Sequence, residues 1–113
     1  MKPLLPTLKE KKRYIAYEVQ TKDSLQKDCS HALLKELQGL LGVFDGAAAG
    51  LQSINYDKKT QRGVLRTSVK VADKVRAVLS MIKQLDGADV RIVTLGVSGI
   101  LNKTQRFLET KKE

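Results

Sequence analysis

The stretch LGVSGILNKTQRFL, from Leu95 to Leu108, contains the change of pattern that decides the fold. Its apolar beginning is typical of a buried strand, and its end has the spacing of a basic, amphipathic helix. Glycine adopts backbone angles that other residues avoid, so Gly96 and Gly99 predict a tight turn, and Ser98 is a suitable cap for the helix. We expect unpaired backbone N–H groups of Ser98, Gly99 and Ile100 to point outward at this turn.

This turn is a candidate anion site made by the backbone. Unpaired N–H groups at a helix N-terminus attract negative charge, and Lys103 and Arg106 follow within the next two turns of the helix. The expected anion is therefore a phosphate of a nucleic acid backbone. The same spacing also fits a turn in which the two glycines only redirect the chain and the serine only caps the helix.

Composition predicts a single domain, residues 1–113, with an aliphatic core. The chain has 113 residues, of which 42% are apolar but only 4% aromatic, so stacking of bases on aromatic rings is not expected to be its main mode of binding. It contains no apolar run of the length of a membrane span or signal peptide, which predicts a cytoplasmic protein. Cys29 and His31 have no partners at metal-ligand spacing, so we expect no metal and no catalytic residue in the chain.

Net charge indicates a polyanionic partner. The chain carries 21 basic and 12 acidic residues, for a net charge of +9. The excess is uneven, because residues 23–57 hold two basic and five acidic groups while residues 58–113 hold thirteen and five. We therefore expect one surface that meets a polyanion and an acidic first helix that faces away from it.

Hydrophobic periodicity predicts four strands and three helices. The first helix is capped by Asp23 or Ser24 and stopped by Gly42, and the second is ended by Asp86-Gly87. The fourth strand is apolar on both faces, which predicts a position inside the sheet. The predicted order is a basic arm over residues 1–12, strand Tyr14–Thr21, the first helix, an irregular segment Val43–Gly50, strand Ala49–Tyr56, turn Asp57–Thr60, strand Arg62–Ser68, helix Val71–Leu85, strand Val90–Leu95, and a turn with a C-terminal helix over 97–113.

This order predicts an α+β fold of the ferredoxin-like or RNA-recognition-motif-like class. Two strand–helix–strand units fold together into a βαββαβ sandwich, with a four-stranded antiparallel sheet and both long helices on one face. The alternating strands leave a second apolar set on the other face of the sheet. We expect the C-terminal helix or a protein partner to cover part of that face.

Four stretches of the chain, taken in order and spacing, resemble one known family. They are KKRYIAYEV (Lys11–Val19), QRGVLRT (Gln61–Thr67), VRAVL (Val75–Leu79) and TLGVSGI (Thr94–Ile100). Together they resemble archaeal ribonuclease P protein component 2. The resemblance implies a subunit of the ribonucleoprotein that removes the 5′ leader from precursor transfer RNA. It also implies that the RNA and its magnesium ions catalyse the reaction, and that this subunit pairs with a larger, barrel-shaped protein subunit, often two plus two.

The predicted contacts with RNA are phosphate contacts. Strand Arg62–Ser68 has no aromatic residue, so sequence-specific stacking of single-stranded bases is not expected, and recognition of RNA shape and phosphates fits better. Each of the candidate side chains is also compatible with an ordinary solvated charge. The RNA-binding candidates are Lys11, Lys12, Arg13, Lys58, Lys59, Arg62, Arg66, Lys103 and Arg106.

Two other classes of protein share the predicted fold. A small-molecule-sensing regulatory module would need a neutral loop that lines a pocket, and nothing in that function calls for a charge of +9. An acylphosphatase-like enzyme would need a phosphate-binding loop after the first strand, but residues 21–24 read Thr-Lys-Asp-Ser, with no glycine. Steep salt dependence of binding to structured RNA would argue against the regulatory module, whereas hydrolysis of an acyl phosphate by the purified protein would support the enzyme.

Overall fold

The computed structural model describes residues 11–22 and 28–108. The elements are β1 (Lys12–Gln20), α1 (Ser30–Ala49), β2 (Gln52–Asp57), β3 (Arg62–Ser68), α2 (Ala72–Met81), β4 (Gln84–Leu85), β5 (Ala88–Asp89), β6 (Arg91–Ser98) and α3 (Leu101–Leu108). The main sheet has the order β2-β3-β1-β6, and all its neighbouring strands are antiparallel. The predicted ferredoxin-like class is confirmed. No helix within the described ranges is long and apolar enough to cross a membrane.

The hydrophobic core lies between the sheet and the two longer helices. Ile15, Tyr17 and Val19 alternate onto the inner side of β1, as the sequence predicts, and pack with Leu33 of α1 and Leu79 of α2. The opposite side of the sheet is called the outer face below. Ala16 and Val64 lie on the outer face and yet are completely buried, because α3 packs across β1, β3 and β6. The expectation that the C-terminal helix covers part of this face is therefore confirmed.

The strand β6 lies at an edge of the sheet, so its predicted position inside the sheet is wrong. Among the strands that the structure describes, it pairs only with β1. Its two apolar faces have another cause, since α2 contacts it from one side and α3 from the other. Both edge strands also carry a bulge. The register with β1 skips Leu95, and the register of β2 with β3 skips Ile54.

The helix α1 begins and ends later than predicted. It starts at Ser30, whose backbone N–H donates to the Asp28 carboxylate at 2.8 Å. Hydrogen bonds from the side chain and then the backbone of Ser30 lower the pKa of the Asp28 carboxyl. The predicted caps Asp23 and Ser24 lie outside the described residues and before this start. Gly42 interrupts the helical geometry with φ 84°, but the chain resumes the helix to Ala49 and ends at Gly50 in the left-handed region. The segment predicted to be irregular is therefore helical.

The helix α2 is shorter than predicted, because Asp86-Gly87 makes a hairpin instead of ending a helix. The helix stops at Met81, and the short strands β4 and β5 pair around that dipeptide. Asp86 and Gly87 have φ of 50° and 82°, as a type I′ turn requires. Leu85 still belongs to the core, with 2% of its surface exposed.

Candidate nucleic-acid interface

One end of the sheet gathers four of the predicted RNA-binding residues. Lys12 and Arg13 begin β1 opposite Ser68 and Thr67, and Arg66 lies opposite Tyr14. The Lys11 carbonyl accepts a hydrogen bond from the Val69 N–H at 2.9 Å, which ties it to the same end. Of the predicted N-terminal arm, Lys12 is therefore part of the sheet, and residues 1–10 lie outside the described residues.

Arg66 is a partly exposed cation on the outer face. Its Nη2 donates to the side-chain oxygen of Gln52, its neighbour on β2, which orients the guanidinium. Its Nε is buried, and no hydrogen-bond acceptor contacts it within the part of the chain that the structure describes. A phosphate cannot reach the enclosed Nε, so a phosphate contact would use the Nη groups of this partly exposed residue.

Lys103 and Arg106 lie on the solvent side of α3, and both are exposed. They are three residues apart and thus share one side of the helix. Because α3 packs on the outer face, its cations project from the same side of the molecule as Arg66. The sheet and α3 together therefore present a positive surface on the side away from α1 and α2. The predicted orientation of α1, away from these cations, agrees with this geometry.

Lys58 and Lys59 are exposed at the tip of the β2–β3 hairpin, far from the cations at the start of β1. The seven residues of β3 separate the two groups by about 20 Å, at the usual rise per residue. The backbone N–H of Lys59 donates to the Asp57 carboxylate at 2.8 Å, which fixes the turn. The predicted residues thus form two separate groups of cations. Arg91, opposite Gln20, is also exposed on the outer face.

Arg62 does not fit the predicted RNA contact, because the structure places it inside the protein. Only 8% of Arg62 and 3% of Glu18 are exposed. The Arg62 Nε lies 3.0 Å from a Glu18 carboxylate oxygen, and its Nη1 donates to the Leu108 carbonyl oxygen at 2.8 Å. The residue therefore joins β3 and β1 to the end of α3. Glu18 and Leu108 are distant from Arg62 in the sequence, so no local pattern around Arg62 predicts this burial.

The predicted backbone anion site at Ser98, Gly99 and Ile100 also needs correction. Ser98 belongs to β6, and its hydroxyl oxygen accepts the Ile100 N–H at 3.0 Å, so that N–H is already used. Gly96 lies within the strand, and neither Gly96 nor Gly99 has positive φ. The first hydrogen bond of the helix runs from the Thr104 N–H to the Ile100 carbonyl oxygen at 3.1 Å. The serine therefore stabilises the approach to α3 and leaves fewer donors for an anion than expected.

This geometry predicts a mild effect for Gly99→Ala. A Cβ atom there would approach Arg13 Nη1 at 3.0 Å, and that atom is the far end of a flexible side chain that can move aside. We expect the free energy of unfolding to change by less than about 0.5 kcal/mol in urea denaturation, as for an ordinary surface substitution. A loss above about 2 kcal/mol would mean that the turn needs a backbone conformation that alanine cannot adopt.

The thiol of Cys29 and the imidazole of His31 are not placed for catalysis or metal binding. Cys29 is buried, as predicted, and its thiol donates to the Tyr56 hydroxyl oxygen at 3.2 Å. Burial raises the pKa of this thiol, which keeps it protonated and unreactive. His31 is exposed on the polar side of α1. Within residues 11–22 and 28–108, no three His, Cys, Asp or Glu residues come together as a metal site.

Comparisons with known proteins agree with this fold and with the resemblance. The sequence profile of the Rpp14/Pop5 family matches residues 13–109. Proteins named ribonuclease P protein component 2 are similar to this chain. The protein of Thermococcus kodakarensis is 35% identical, and the match covers 93% of this chain and 88% of that protein. The protein of Archaeoglobus fulgidus is 34% identical, and the match covers 96% of this chain and 99% of that protein.

A solved structure supports the fold independently of sequence. A chain of the yeast ribonuclease MRP structure superimposes with a TM-score of 0.64 at 11% identity, covering 88% of this chain and 87% of that one. The comparisons offer no support for the alternative of a small-molecule-sensing module. The family indicated by the sequence is confirmed, and the chain belongs to the Rpp14/Pop5 family, together with the archaeal proteins named ribonuclease P protein component 2.

Proposed function

We propose that this chain is a protein subunit of ribonuclease P and that it binds the catalytic RNA through Arg66, Lys103 and the cations around them. The observation that carries this proposal is the placement of α3 on the outer face, which brings its cations to the same side as Arg66. Membership in a family whose relatives are named as ribonuclease P components supplies the identity of the RNA. Neutralising RNA phosphates would stabilise the folded ribozyme.

In this proposal the chain supplies no reactive group to the cleavage of precursor transfer RNA. The buried Cys29 thiol and the ion-paired Glu18 support this view, because neither is available to a substrate. The magnesium ions belong to the RNA, and the protein lowers the amount of magnesium that the RNA needs. The larger barrel-shaped protein subunit, in a one-plus-one or two-plus-two assembly, and the cytoplasmic location are further parts of the proposal.

Reconstitution tests the function directly. The catalytic RNA is mixed with this chain, with and without the barrel-shaped subunit, and cleavage of precursor transfer RNA is measured as magnesium is lowered. We expect the protein to extend cleavage to lower magnesium and to cleave nothing when the RNA is omitted. Cleavage by the protein alone would contradict the assignment of catalysis to the RNA.

A charge-removal pair tests the proposed surface. The double variant Arg66→Gln with Lys103→Gln should weaken RNA binding and reduce the slope of log K against log salt by about 0.7–0.9 for each phosphate that is no longer neutralised. The matched control is Lys35→Gln with Arg76→Gln, which removes the same charge from α1 and α2. Filter binding at several salt concentrations distinguishes the two. Equal losses in both variants would show that net charge, and not this surface, determines binding.

A further inference from the structure

One corner of the outer face holds an aromatic side chain beside an arginine, and both residues are partly exposed. The helix covers Ala16 and Val64, but the strand register places one more row of residues toward the start of β1. This row crosses all four strands, and we call it the Tyr14 corner. Its members are Gln52, Arg66, Tyr14 and Ser98, paired in that order.

Tyr14 differs from the other two tyrosines of the chain. Tyr17 and Tyr56 stack on the core side, with ring centroids 6.3 Å apart, and Tyr17 is buried. Tyr14 lies on the opposite side of the sheet and is partly exposed. A protein with an aliphatic core thus places one of its few aromatic side chains where the core does not use it. Aromatic side chains on a sheet surface are the platforms on which unpaired bases stack.

Arg66 adds a fixed cation to this platform. Side chains directly opposite each other on antiparallel strands have Cβ atoms about 5 Å apart, so Arg66 and Tyr14 are immediate neighbours. Gln52 orients the guanidinium through its Nη2, and Arg66 is partly exposed. An aromatic ring beside an oriented guanidinium matches a nucleotide, which offers a flat base and a phosphate linked to it.

The charge around the corner favours a polyanion as the occupant. Lys11, Lys12 and Arg13 immediately precede Tyr14 in the chain. The described carboxylates of the outer face, Glu18 and Asp57, lie at the other end of the strands, and Glu18 is paired with Arg62. This distribution of charge would not attract a neutral peptide, whereas it attracts the phosphates of RNA both at the Tyr14 corner and along α3.

We propose that the Tyr14 corner binds an unpaired nucleotide of RNA, with its base stacked on the Tyr14 ring and its phosphate against Arg66. The proposal rests on the proposed function and adds the kind of RNA element that the surface recognises. Stacking on one ring tolerates any base, so the corner recognises unpaired nucleotides without reading a sequence.

Affinity measurements with two RNA probes test this site. The full chain is titrated into fluorescein-labelled single-stranded oligoadenylate and into a blunt RNA duplex of similar length. We expect Tyr14→Ala to weaken binding of the single strand by about 5- to 150-fold, the usual loss when a stacking aromatic residue is removed. Tyr14→Phe should bind like the unaltered chain. The salt slope should not change in Tyr14→Ala, because the same number of phosphates is neutralised.

Two further measurements keep the test independent of folding defects. Tyr14→Leu retains an apolar side chain on the sheet but has no ring, and we expect it to lose the same affinity as Tyr14→Ala. In the unaltered chain, oligoadenylate should shift the NMR signals of the Tyr14 ring upfield, while Tyr17 and Tyr56 serve as internal controls.

The outcomes separate this inference from the proposed function. Unaltered affinity in Tyr14→Ala, or an equal loss on single strand and duplex, overturns the nucleotide site and leaves the ribonuclease P assignment intact. If the unaltered chain binds neither probe and does not assist cleavage in the reconstituted enzyme, both proposals fail.

Discussion

Replacing Arg62 by alanine should lower the free energy of unfolding by about 3–5 kcal/mol, the usual cost of removing one partner of a buried ion pair. The guanidinium lies between the Glu18 carboxylate and the Leu108 carbonyl, and both residues of the pair are more than nine-tenths buried. Without it, the buried Glu18 carboxylate loses its cationic partner and keeps the hydrogen bond from the Gln20 side chain, and the end of α3 loses its hydrogen bond to the sheet. Urea denaturation followed by circular dichroism measures the loss.

The control for this variant is Arg91→Ala. Arg91 lies on the same face of the same sheet but is exposed, so its removal should change the free energy of unfolding by less than about 0.5 kcal/mol. Equal free energies of unfolding for the two variants would contradict the structural role of Arg62. Arg62 would then again be a candidate for contact with RNA.

Gly63→Ala should lower the free energy of unfolding by about 3 kcal/mol, at the upper end of the usual cost of overpacking a core. A Cβ atom at this position would lie 2.7 Å from the Asn55 carbonyl oxygen and 2.8 Å from the Tyr17 hydroxyl oxygen. The first neighbour is backbone of β2 and the second belongs to a buried, stacked ring, so neither moves easily. Urea denaturation again gives the magnitude.

Gly39→Ala provides the matched control for this substitution. Gly39 lies in α1, and a Cβ atom there would have open space around it. The same chemical change should therefore be neutral or stabilise the protein by up to about 1 kcal/mol, because alanine favours the helix. A loss in both variants would point to a general intolerance of the fold and not to the contacts of Gly63.

Period-two alternation in β1 and β3 made the sheet predictable from the sequence. Ile15 and Tyr17 point inward and Ala16 outward, as the pattern indicates, and the short polar turn before Arg62 makes the antiparallel hairpin. The second part of α1 was harder to predict, because Gly42 leaves the helical geometry and the helix resumes after it. Alanine-rich sequence after Gly42 favours the helix despite Gly46, so the glycines are weaker signals of irregular structure here than they usually are.

The sequence predicted the exposure of a basic residue correctly where that residue has no buried acidic partner elsewhere in the chain. Lys103 is exposed on α3 as the helical spacing predicts. The burial of Arg62 depends on contacts from two distant parts of the chain, Glu18 and Leu108, which no local pattern contains. Asp86-Gly87 illustrates a different limit, since the dipeptide serves equally as a helix stop and as a hairpin turn, and only tertiary packing distinguishes them.

The bulges at Leu95 and Ile54 have a consequence for how the protein joins a large particle. Each one interrupts the hydrogen-bonding ladder of an outermost strand, and such interruptions deter another polypeptide from extending the sheet. Neighbouring subunits are therefore expected to attach through side chains instead of by strand addition. A densely charged protein can then be concentrated on a long RNA without polymerising into β-rich aggregates.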